Sequence, residues 1–361
     1  MTDYNFVFSS MRTEQVIAEI PLNGTYMDME LNVGGRLDGS FHLDMTGYDN
    51  QTLMDATIPG RTFVVCERNG IPIWCGYVWS RTYQSQAKSV QLYCQSFEYY
   101  PTHQLIRSSI HTGPIEQLVL FRDLWTHMQA VDGRNVNINL PSDTPPLLVS
   151  KAVEVDDTDF KFYDEVMSTL SDSSNGFDWT IDVAKSGIQY IKTLRYGYPA
   201  LGSPDPTRLT FEYPGSLLNY YATESMVDAG TNVFTLGSGE GSSMLFEEVV
   251  HQDMIDGGSP RWDVIAPRKD IDDAAQLASF AEQEAIIRRP PMLVIKPTLK
   301  AEKIPEFGSF SLGDACSVTM TDARFPSTFT FQTRITKWTL QPQSSENTDE
   351  FSLFFAGDEN E

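Results

Sequence analysis

The feature of this sequence that most constrains its fold is an alternation of apolar and polar residues with a period of two. QVIAEIPL, YMDMELNV and GSFHLDMTG all alternate, and glycine-containing breaks separate them. RTFVVCE, PIWCGYVWSRTY and KSVQLYCQSFEYY follow, and they are rich in β-branched and aromatic residues. Both patterns are typical of strands with one buried face. We therefore predict that residues 14–100 are nearly all β and that residues 1–100 form a first β-barrel.

Two cysteines flank a predicted hairpin turn in this region. The dipeptide Asn69-Gly70 favours a two-residue loop. With that loop, Cys66 is expected to face Ile73, and Cys75 to face Val64, so the sulfurs lie on a diagonal. Diagonal neighbours are roughly 7–8 Å apart, whereas a disulfide needs Cβ atoms about 3.5–4.5 Å apart. We expect both cysteines to be small buried residues rather than a disulfide, a metal site or a redox pair.

Length and cysteine usage bound the class of protein. The chain has 361 residues, which favours two or three domains. Its other two cysteines, Cys94 and Cys316, belong to no CxxC pair, and four cysteines in this length fit a protein made in a reducing cytosol. No basic N-terminal segment precedes an apolar run, and no stretch reaches the ~18 apolar residues of a membrane span. We expect neither a signal peptide nor membrane insertion.

The charge balance is strongly acidic. There are 49 acidic and 26 basic residues, which gives a net charge of −23. Affinity for the phosphate backbone depends on Lys and Arg, so we expect no specific binding of nucleic acid. Such a surface is compatible with DNA only as one along which DNA slides without sticking.

Residues 101–204 change character and predict a small α/β insert. The segment PIEQLVLFRDLWTHMQAV predicts a helix. Its expected apolar face comprises Ile115, Leu118, Val119, Leu124, Trp125 and Met128. FDWTIDVA and GIQYIKTLRYG then predict a hairpin, and the turn-rich stretch 202–209 predicts a linker.

A second helix is predicted within the insert, in DDTDFKFYDEVMSTLSDSS. Asp157 or Thr158 is the expected N-cap. Phe162, Val166 and Leu170 are spaced to share one helical face.

Residues 205–361 predict a second β-barrel with a helix at about 270–289. The packing of part of 205–240 back on the first barrel is left open. Asp270 is the expected N-cap of the helix, with acidic residues in its first turn. Arg288 and Arg289 are expected in the last turn, and Pro290-Pro291 ends it.

The two ends of the chain resemble each other weakly. Each has a turn with a glycine (Gly60, Gly313), a short strand, a longer strand with a tryptophan (Trp79, Trp338), and an alternating closing strand. The loops are about four residues longer in the second copy. This pattern favours a duplication, with two similar barrels around the insert.

Motifs for catalysis or cofactor binding are lacking. The sequence contains no HExxH, GxSxG, SxxK, P-loop or strand–helix GxGxxG pattern. GSGEGSS at 237–243 lacks the lysine of a phosphate-binding loop. A pair of glycosidase carboxylates among the 49 acidic residues is left open. We predict no catalytic, cofactor-binding or metal-binding residue, no cofactor and no enzymatic activity.

Two further features favour a plain structural interpretation. The acidic residues Glu154, Asp156, Asp157 and Asp159 resemble the start of a calcium loop, but the later Gly and Glu are missing, so a solvated loop is favoured and calcium binding is left open. The second feature is a set of aromatic side chains that fit barrel core better than a sugar-binding face. They are Trp74, Trp79, Tyr83, Tyr93, Phe97, Tyr99 and Tyr100.

The order of these parts resembles the tail hub (tail-tip, minor tail) proteins of tailed bacteriophages. In that family two β-barrels flank an α/β insert. Trp74–Val78 is similar to the family's W-x-G-x-(I/V) strand, and Gly176–Ile181 to its W-x-I step. Leu312–Asp314 and Arg334–Ile335 are similar to its LGD and RI positions. The resemblance covers about 15–355.

The resemblance implies a virion protein at the tail tip, made in the host cytoplasm. Hubs of this family form homotrimers, in which two similar barrels per chain match a threefold tip to a sixfold tail tube. Implied partners are the distal tail ring protein, the tape-measure protein and other tail-tip proteins, and DNA passes through the lumen. Barrel edges are expected to pair across chains in a closed ring.

The sequence is also compatible with three other functions. A host-surface or carbohydrate-binding tail protein predicts exposed aromatics on one face. A hydrolase predicts loss of activity on single carboxylate substitutions. A distal tail ring protein usually has one barrel, so a second barrel argues against it.

Overall fold

The computed structural model of the chain describes residues 3–143, 145–172, 175–269, 271–290, 292–342 and 349–356. Over these residues the protein is mainly β with a few helices, and the predicted fold class is confirmed. The N-terminal part contains β1 (Tyr4–Ser10), β2 (Val16–Glu19), β3 (Asn23–Glu30), β4 (Arg36–His42), α1 (Asn50–Ala56), β5 (Thr62–Arg68), β6 (Ile71–Gln84), β7 (Ser89–Ser96) and the 3₁₀-helix Phe97–His103.

The middle and C-terminal parts contain the remaining elements. The middle comprises β8 (Ile110–His111), β9 (Ile115–Glu116), α2 (Gln117–Gln129), β10 (Ile138–Asn139), β11 (Ser150–Lys151), β12 (Glu154–Val155), α3 (Tyr163–Ser171), β13 (Asp178–Ser186) and β14 (Gln189–Gly197). The C-terminal part comprises β15 (Thr210–Tyr213), β16 (Leu217–Ser225), β17 (Asn232–Leu236), the 3₁₀-helix Gly241–Ser243, β18 (Phe246–Val250), α4 (Gln252–Asp256), β19 (Asp263–Pro267), α5 (Ala274–Ile287), β20 (Met292–Lys300), β21 (Ala315–Met320), β22 (Phe329–Gln341) and β23 (Glu350–Phe355).

The chain folds into two compact units. The first runs to Leu218 and resumes from Thr298 to Leu353, and the second comprises Asn219–Pro297 and the residues from Phe354 onwards. The division into domains at 1–100, 101–204 and 205–361 stays a prediction.

One sheet of the first unit joins the beginning of the chain to its end. Its strand order includes β20-β23-β22-β3-β4-β7-β6-β5-β1-β2, with β20 contributing Thr298–Lys300. The joining pair is β22 with β3, which are antiparallel, with Trp338 opposite Met29 and Leu340 opposite Met27. Because these side chains are buried, apolar burial and backbone hydrogen bonds hold the two ends of the chain together.

The core of the first unit continues from this sheet into the insert. Phe121 of α2 lies 5.1 Å from the rings of both Phe177 and Trp179, which are also buried. The same cluster includes Phe63 and Tyr77 from β5 and β6. The insert therefore shares its hydrophobic core with the first strands.

The predicted hairpin between β5 and β6 forms, but its register differs from the predicted one. Asn69 and Gly70 have φ values of 52° and 79°, as the predicted turn requires. A bulge between Cys66 and Glu67 then shifts the pairing by one residue. Cys66 consequently faces Trp74 rather than Ile73, and Cys75 faces Val65 rather than Val64. Since a one-residue shift exchanges the faces of a strand, the two cysteines point to opposite faces.

The two helices of the insert lie close to the predicted positions. Ile115, predicted on the apolar face of α2, lies in the preceding strand β9. The buried face of α2 also includes Leu120 and Phe121, which were not predicted there. Helix α3 begins later than predicted, with Phe162 rather than Asp157 or Thr158 as the N-cap. The reason is local: residues 157–159 form a turn, Phe160 has a φ of 53°, and Lys161 accepts a hydrogen bond from the distant backbone of Ile106.

Helix α5 is shorter than predicted. The expected cap, Asp270, lies outside the described residues. The observed N-cap is Asp273, whose side chain accepts a hydrogen bond from the N–H of Gln276 at 2.8 Å, and the first turn carries no acidic residue. Arg288 is the C-cap rather than part of the last turn, and its guanidinium bonds Glu284 at 2.9 Å.

The second unit is a small α/β arrangement. Strand β17 is central, with β18 antiparallel on one side and β19 parallel on the other. Helix α5 packs on β17 and β18, and Val233, Ala266 and Ala285 form its small buried cluster. Among the helices described in either unit, none is long and apolar enough to cross a membrane.

The predicted repeat is visible as an order of elements. In the N-terminal part a positive-φ glycine, Gly60, precedes β5, the long β6 and β7, and in the C-terminal part Gly313 precedes β21, the long β22 and β23. The surroundings differ, since β5 has an antiparallel neighbour in β1, whereas β21 has a parallel neighbour in β15.

Candidate functional site

The predicted LGD motif lies at a joint between the insert and the C-terminal strands. Gly313 has a φ of +90°, and a Cβ built on it would lie 2.3 Å from the carbonyl oxygen of Leu201. Gly202 approaches from the other side, because a Cβ on it would lie 2.3 Å from the carbonyl carbon of Gly313. Only glycine fits so close a backbone approach. Two turns from distant parts of the chain thereby touch directly.

Side chains of the same motifs close this joint. The carboxylate of Asp314 accepts N–H groups from Ser203 at 2.7 Å and from Ser311 at 2.9 Å. Arg334 forms an ion pair with Asp178, whose carboxylate also accepts the N–H of Leu201 at 2.9 Å. The positions that carry the family resemblance are therefore structural, and they fasten the insert hairpin to β21 and β22.

The W-x-G strand serves close packing. Trp74 is buried, and its Nε1 donates a hydrogen bond to the carbonyl oxygen of Asp28 at 3.1 Å. A Cβ on Gly76 would lie 2.2 Å from the carbonyl oxygen of Gln95 on the neighbouring strand. Gly76 thus allows the backbones of β6 and β7 to lie close together, and Trp74 forms a hydrogen bond with β3.

Asn32 connects the first strands to the W-x-I step. It has a φ of 63° in the turn after β3, and its Oδ1 accepts the N–H of Trp179 at 2.7 Å. Its own N–H donates to the carbonyl oxygen of Trp179 at 3.0 Å. Asn32 therefore satisfies both the N–H and the carbonyl oxygen of Trp179 at the edge of β13 that faces away from β14.

Glu98 is a buried carboxylate beside the same edge. It is 3% exposed and accepts hydrogen bonds from the N–H of Ile181 at 2.6 Å and from the hydroxyl of Thr180 at 3.0 Å. Burial raises the pKa of Glu98, while the bonds to the charged form oppose that rise. These bonds tie β13 to the 3₁₀-helix Phe97–His103, which is a structural role.

Two more buried charges fasten β5 to the insert hairpin. Glu67 accepts hydrogen bonds from Lys185 at 2.6 Å and from the hydroxyl of Tyr190 at 2.9 Å. Lys192, 1% exposed, pairs with Glu14 at 2.9 Å. Its ammonium also lies 4.4 Å from the ring centre of Phe63, a favourable cation–π distance.

These buried polar residues were not singled out from the sequence. One signal was present: Tyr190, Lys192 and Leu194 alternate on one face of β14, so the lysine occupies a core position of the pattern. Nothing comparable marks Asn32 or Glu98, because their partners lie far away in the sequence.

The four cysteines are all buried and free, and the predicted burial of Cys66 and Cys75 is confirmed. Burial raises the pKa of the Cys66, Cys75 and Cys94 thiols, and that of Cys316 to about 12. Since the thiolate is the reactive form, these residues are unsuited to nucleophilic or redox chemistry.

The acidic loop of the insert has hydrogen-bond partners within the protein. Asp156 lies 3.1 Å from Nε2 of His111, and its N–H donates to the carboxylate of Asp159 at 3.0 Å. Within the described ranges, no three His, Cys, Asp or Glu residues are grouped so that they could hold a metal ion.

The predicted aromatic set belongs to the core only in part, and the prediction is wrong for Trp79 and Tyr83. Trp74 and Phe97 are buried, whereas Trp79 is 40% and Tyr83 49% exposed. Trp79 stacks on His103 with ring centres 4.6 Å apart, so one of its faces is covered by the protein itself.

The structure, unlike the sequence, has clear relatives. No family model and no curated protein sequence matches the chain. The 43 kDa tail protein of prophage MuSo2 from Shewanella oneidensis matches with a TM-score of 0.61 at 9% identity, over 99% of this chain and 99% of that one. A tail protein from Neisseria meningitidis MC58 matches with a TM-score of 0.59 at 10% identity, over 97% and 96% of the two chains.

The prophage tail protein gp18 from Listeria monocytogenes EGD-e is a third relative. It matches with a TM-score of 0.54 at 10% identity, over 97% of this chain and 94% of that one. The chain therefore has the fold of bacteriophage tail proteins. This fold extends over nearly the whole chain, and the resemblance predicted from its motifs is confirmed at the level of the fold.

Proposed function

We propose that this protein is a structural component of a phage tail and forms a homotrimeric hub at its distal end. Three copies, each with two similar barrels, would match a threefold tip to a sixfold tail tube. The hub would contact the distal tail ring, the tape-measure protein and other tail-tip proteins, and DNA would leave through its lumen. No enzymatic step is part of this role.

The observation that supports this proposal best is the end-to-end match with tail proteins from three bacteria. Each covers at least 97% of this chain and at least 94% of the other. A match to one barrel alone would fit many β-proteins, since a fold by itself does not define a function. Here the match extends over nearly the whole length of both chains.

The interlocked first unit suits a part that bears load. The sheet pair β22–β3, the glycine contact at Gly313 and the ion pair Arg334–Asp178 all join segments that are distant in sequence. Pulling on either end of the chain would therefore act on the whole unit rather than on one strand.

The charge of the chain supports the DNA-exit role. At a net charge of −23, a lumen would repel the phosphate backbone and let DNA slide. A basic lumen would retain it.

Strand β2 offers a subunit contact. It ends the main sheet of the first unit, and its Val16 and Ile17 are 45% and 39% exposed. An edge strand with exposed apolar residues is prone to pair with another chain. In a head-to-tail ring this edge would be covered.

The test is the mass of the purified protein by light scattering, followed by negative-stain averages. We expect a trimer of the 40.6 kDa chain with a central hole. Ile17→Lys should lower the trimer fraction, while Ile188→Lys, at a residue 86% exposed in a hairpin turn, should not. A compact monomer or dimer that bound glycans or cleaved cell-wall polymer would refute the hub proposal.

A further inference from the structure

The sheet of the second unit carries apolar side chains on the face that points away from its helix. Val233 of β17 and Ala285 of α5 belong to one buried cluster, so Val233 points towards the helix. Because side chains alternate along a strand, Phe234 and Leu236 point to the opposite face. The sheet is therefore apolar on both faces.

Neighbouring strands extend the apolar patch on that opposite face. Phe234 lies opposite Ile265 of β19, and Leu236 lies opposite Phe246 of β18. Residues directly opposite each other point to the same face, so these four side chains form one patch, which we call the open face. Phe246 is 59% and Ile265 58% exposed. Since an apolar sheet face is stable when another layer covers it, the open face is suited to a further contact.

The charged residues at one end of the open face are paired with each other. Glu248 lies opposite Phe234 on β18, and Asp263 lies on β19. Arg261 forms ion pairs with both carboxylates, and its Nε is 3.5 Å from Asp263. The open face consequently needs no charged partner, and an apolar surface fits it best.

A second apolar surface lies at the end of α5, on the helix side of the same unit. It consists of three exposed aliphatic residues, which we call the apolar knob: Val227 (85% exposed), Ile286 (76%) and Ile287 (54%). Arg288 holds the two segments together, since its Nη1 donates to the carbonyl oxygen of Asp228 at 3.1 Å and its own carbonyl accepts the N–H of Gly230 at 2.9 Å. The apolar knob and the open face thus lie on different sides of one unit.

The size of the open face indicates what kind of partner covers it. Its three strands have five residues each, and they span roughly 10 Å by 16 Å at ordinary strand spacing and rise. A stable interface between free proteins needs about 800 Å² on each side, which is several times more. The open face therefore strengthens a contact between bodies that other surfaces already hold together. A neighbouring copy in a ring is such a body.

We propose that the apolar knob of one copy packs on the open face of the next copy in the ring. Because the two surfaces lie on different sides of one unit, this contact is head-to-tail and can repeat around a closed ring. The inference rests on the proposed homotrimer, and it assigns to the second unit a contact between copies that is separate from the edge of β2.

Disulfide trapping in the full chain tests this contact. Ile265→Cys with Ile286→Cys places one thiol on the open face and one on the apolar knob, while the four native cysteines are buried. Under mild oxidation with copper phenanthroline, we expect covalent dimers and trimers of this double variant on a non-reducing gel. Ile265→Cys with Ile188→Cys is the matched control, because Ile188 is exposed in a hairpin turn of the first unit, and it should form none.

The outcomes separate this inference from the hub proposal. A trimer by light scattering that forms no links would overturn the inference and leave the hub proposal standing. Covalent dimers of Ile265→Cys alone would mean that two open faces meet, which also overturns the inference. A protein that is monomeric by light scattering and forms no links would overturn both.

Opposite charges provide a second test. Ile286→Glu alone should lower the trimer fraction about tenfold, because it would bury an unpaired charge against the open face of the next copy. Adding Ile265→Lys should restore the fraction to within about twofold of the wild type, since the two charges then pair across the contact. Both positions are exposed in the single chain, so the variants are expected to fold, and circular dichroism checks this. A double variant that assembles no better than Ile286→Glu would refute the contact.

Discussion

Arg334 and Asp178 form an ion pair although 156 positions separate them in the chain. Asp178 begins the insert hairpin, and Arg334 lies in the middle of β22 opposite Ala315. The carboxylate of Asp178 also accepts a hydrogen bond from the N–H of Leu201. One side chain therefore connects the start of the hairpin to the segment that follows it. Two of the degenerate motifs in the sequence thus meet at one joint.

Arg334→Ala should lower the free energy of unfolding by about 2–3 kcal/mol, somewhat less than a fully buried pair, because the two side chains are 30% and 13% exposed. Arg195→Ala removes a more exposed pair with Asp182 and should cost less than about 1 kcal/mol. Urea unfolding of the two variants measures the difference. Equal costs would mean that the joint contributes no more than a surface pair.

Gly313→Ala should destabilise the protein more than Gly308→Ala. Both glycines have similar φ values, +90° and +95°, so both substitutions carry the same backbone strain of about 1–3 kcal/mol. Only at Gly313 would the new Cβ meet a backbone oxygen at 2.3 Å, whereas nothing lies within 4 Å at Gly308. Thermal unfolding of both variants should therefore show a clearly lower Tm for Gly313→Ala. Matching Tm values would argue against the close contact with Leu201.

The buried carboxyl of Glu98 should make stability depend on pH. Burial raises its pKa in the folded protein above the ordinary value of 4.5. As pH rises from 4.5, the unfolded chain loses this proton first, so the contribution is fully present below 4.5 and is lost as pH rises through the folded pKa. Glu98→Gln cannot ionise and should lack this loss.

Urea unfolding between pH 4 and pH 8 measures this effect. The stability of the wild type relative to Glu98→Gln should decline with rising pH. Glu154→Gln, at an exposed position, provides the control and should follow the wild type. If the free energies of unfolding of the wild type and Glu98→Gln differ by the same amount throughout this pH range, the pKa of Glu98 is not raised in the folded protein.

All four thiols should be unreactive in the folded protein. They are buried, and burial raises their pKa values, so the reactive thiolate is scarce. A thiol reagent such as Ellman's reagent should label none in native buffer at pH 8 and all four in guanidinium chloride. Rapid native labelling would show that the cores around them open readily.

Much of the local structure follows from short-range patterns in the sequence. The alternation of β5, β6 and β7, the Asn69-Gly70 turn and the hairpin β13–β14 all depend on neighbours within a few residues. Helix α2 follows in the same way from its apolar spacing. The degenerate motifs were also enough to indicate the class of fold.

The exact pairing did not follow from the sequence. The bulge beside Glu67 reverses the face of Cys75 because this glutamate turns towards Lys185 and Tyr190 of the insert. The late start of α3 similarly depends on Lys161 and Phe162, which pair with the distant residues Ile106 and Leu105.

The sequence by itself determined which segments are strands and helices and that the chain is acidic, because these properties depend on local spacing and composition. Only the tertiary structure decided that β22 pairs with β3, that Glu98 and Lys192 are buried, and that Arg334 pairs with Asp178. Each of these depends on partners more than 50 positions away. No local pattern specifies such partners, since many strands could satisfy the same hydrogen bonds and only the packed core selects among them.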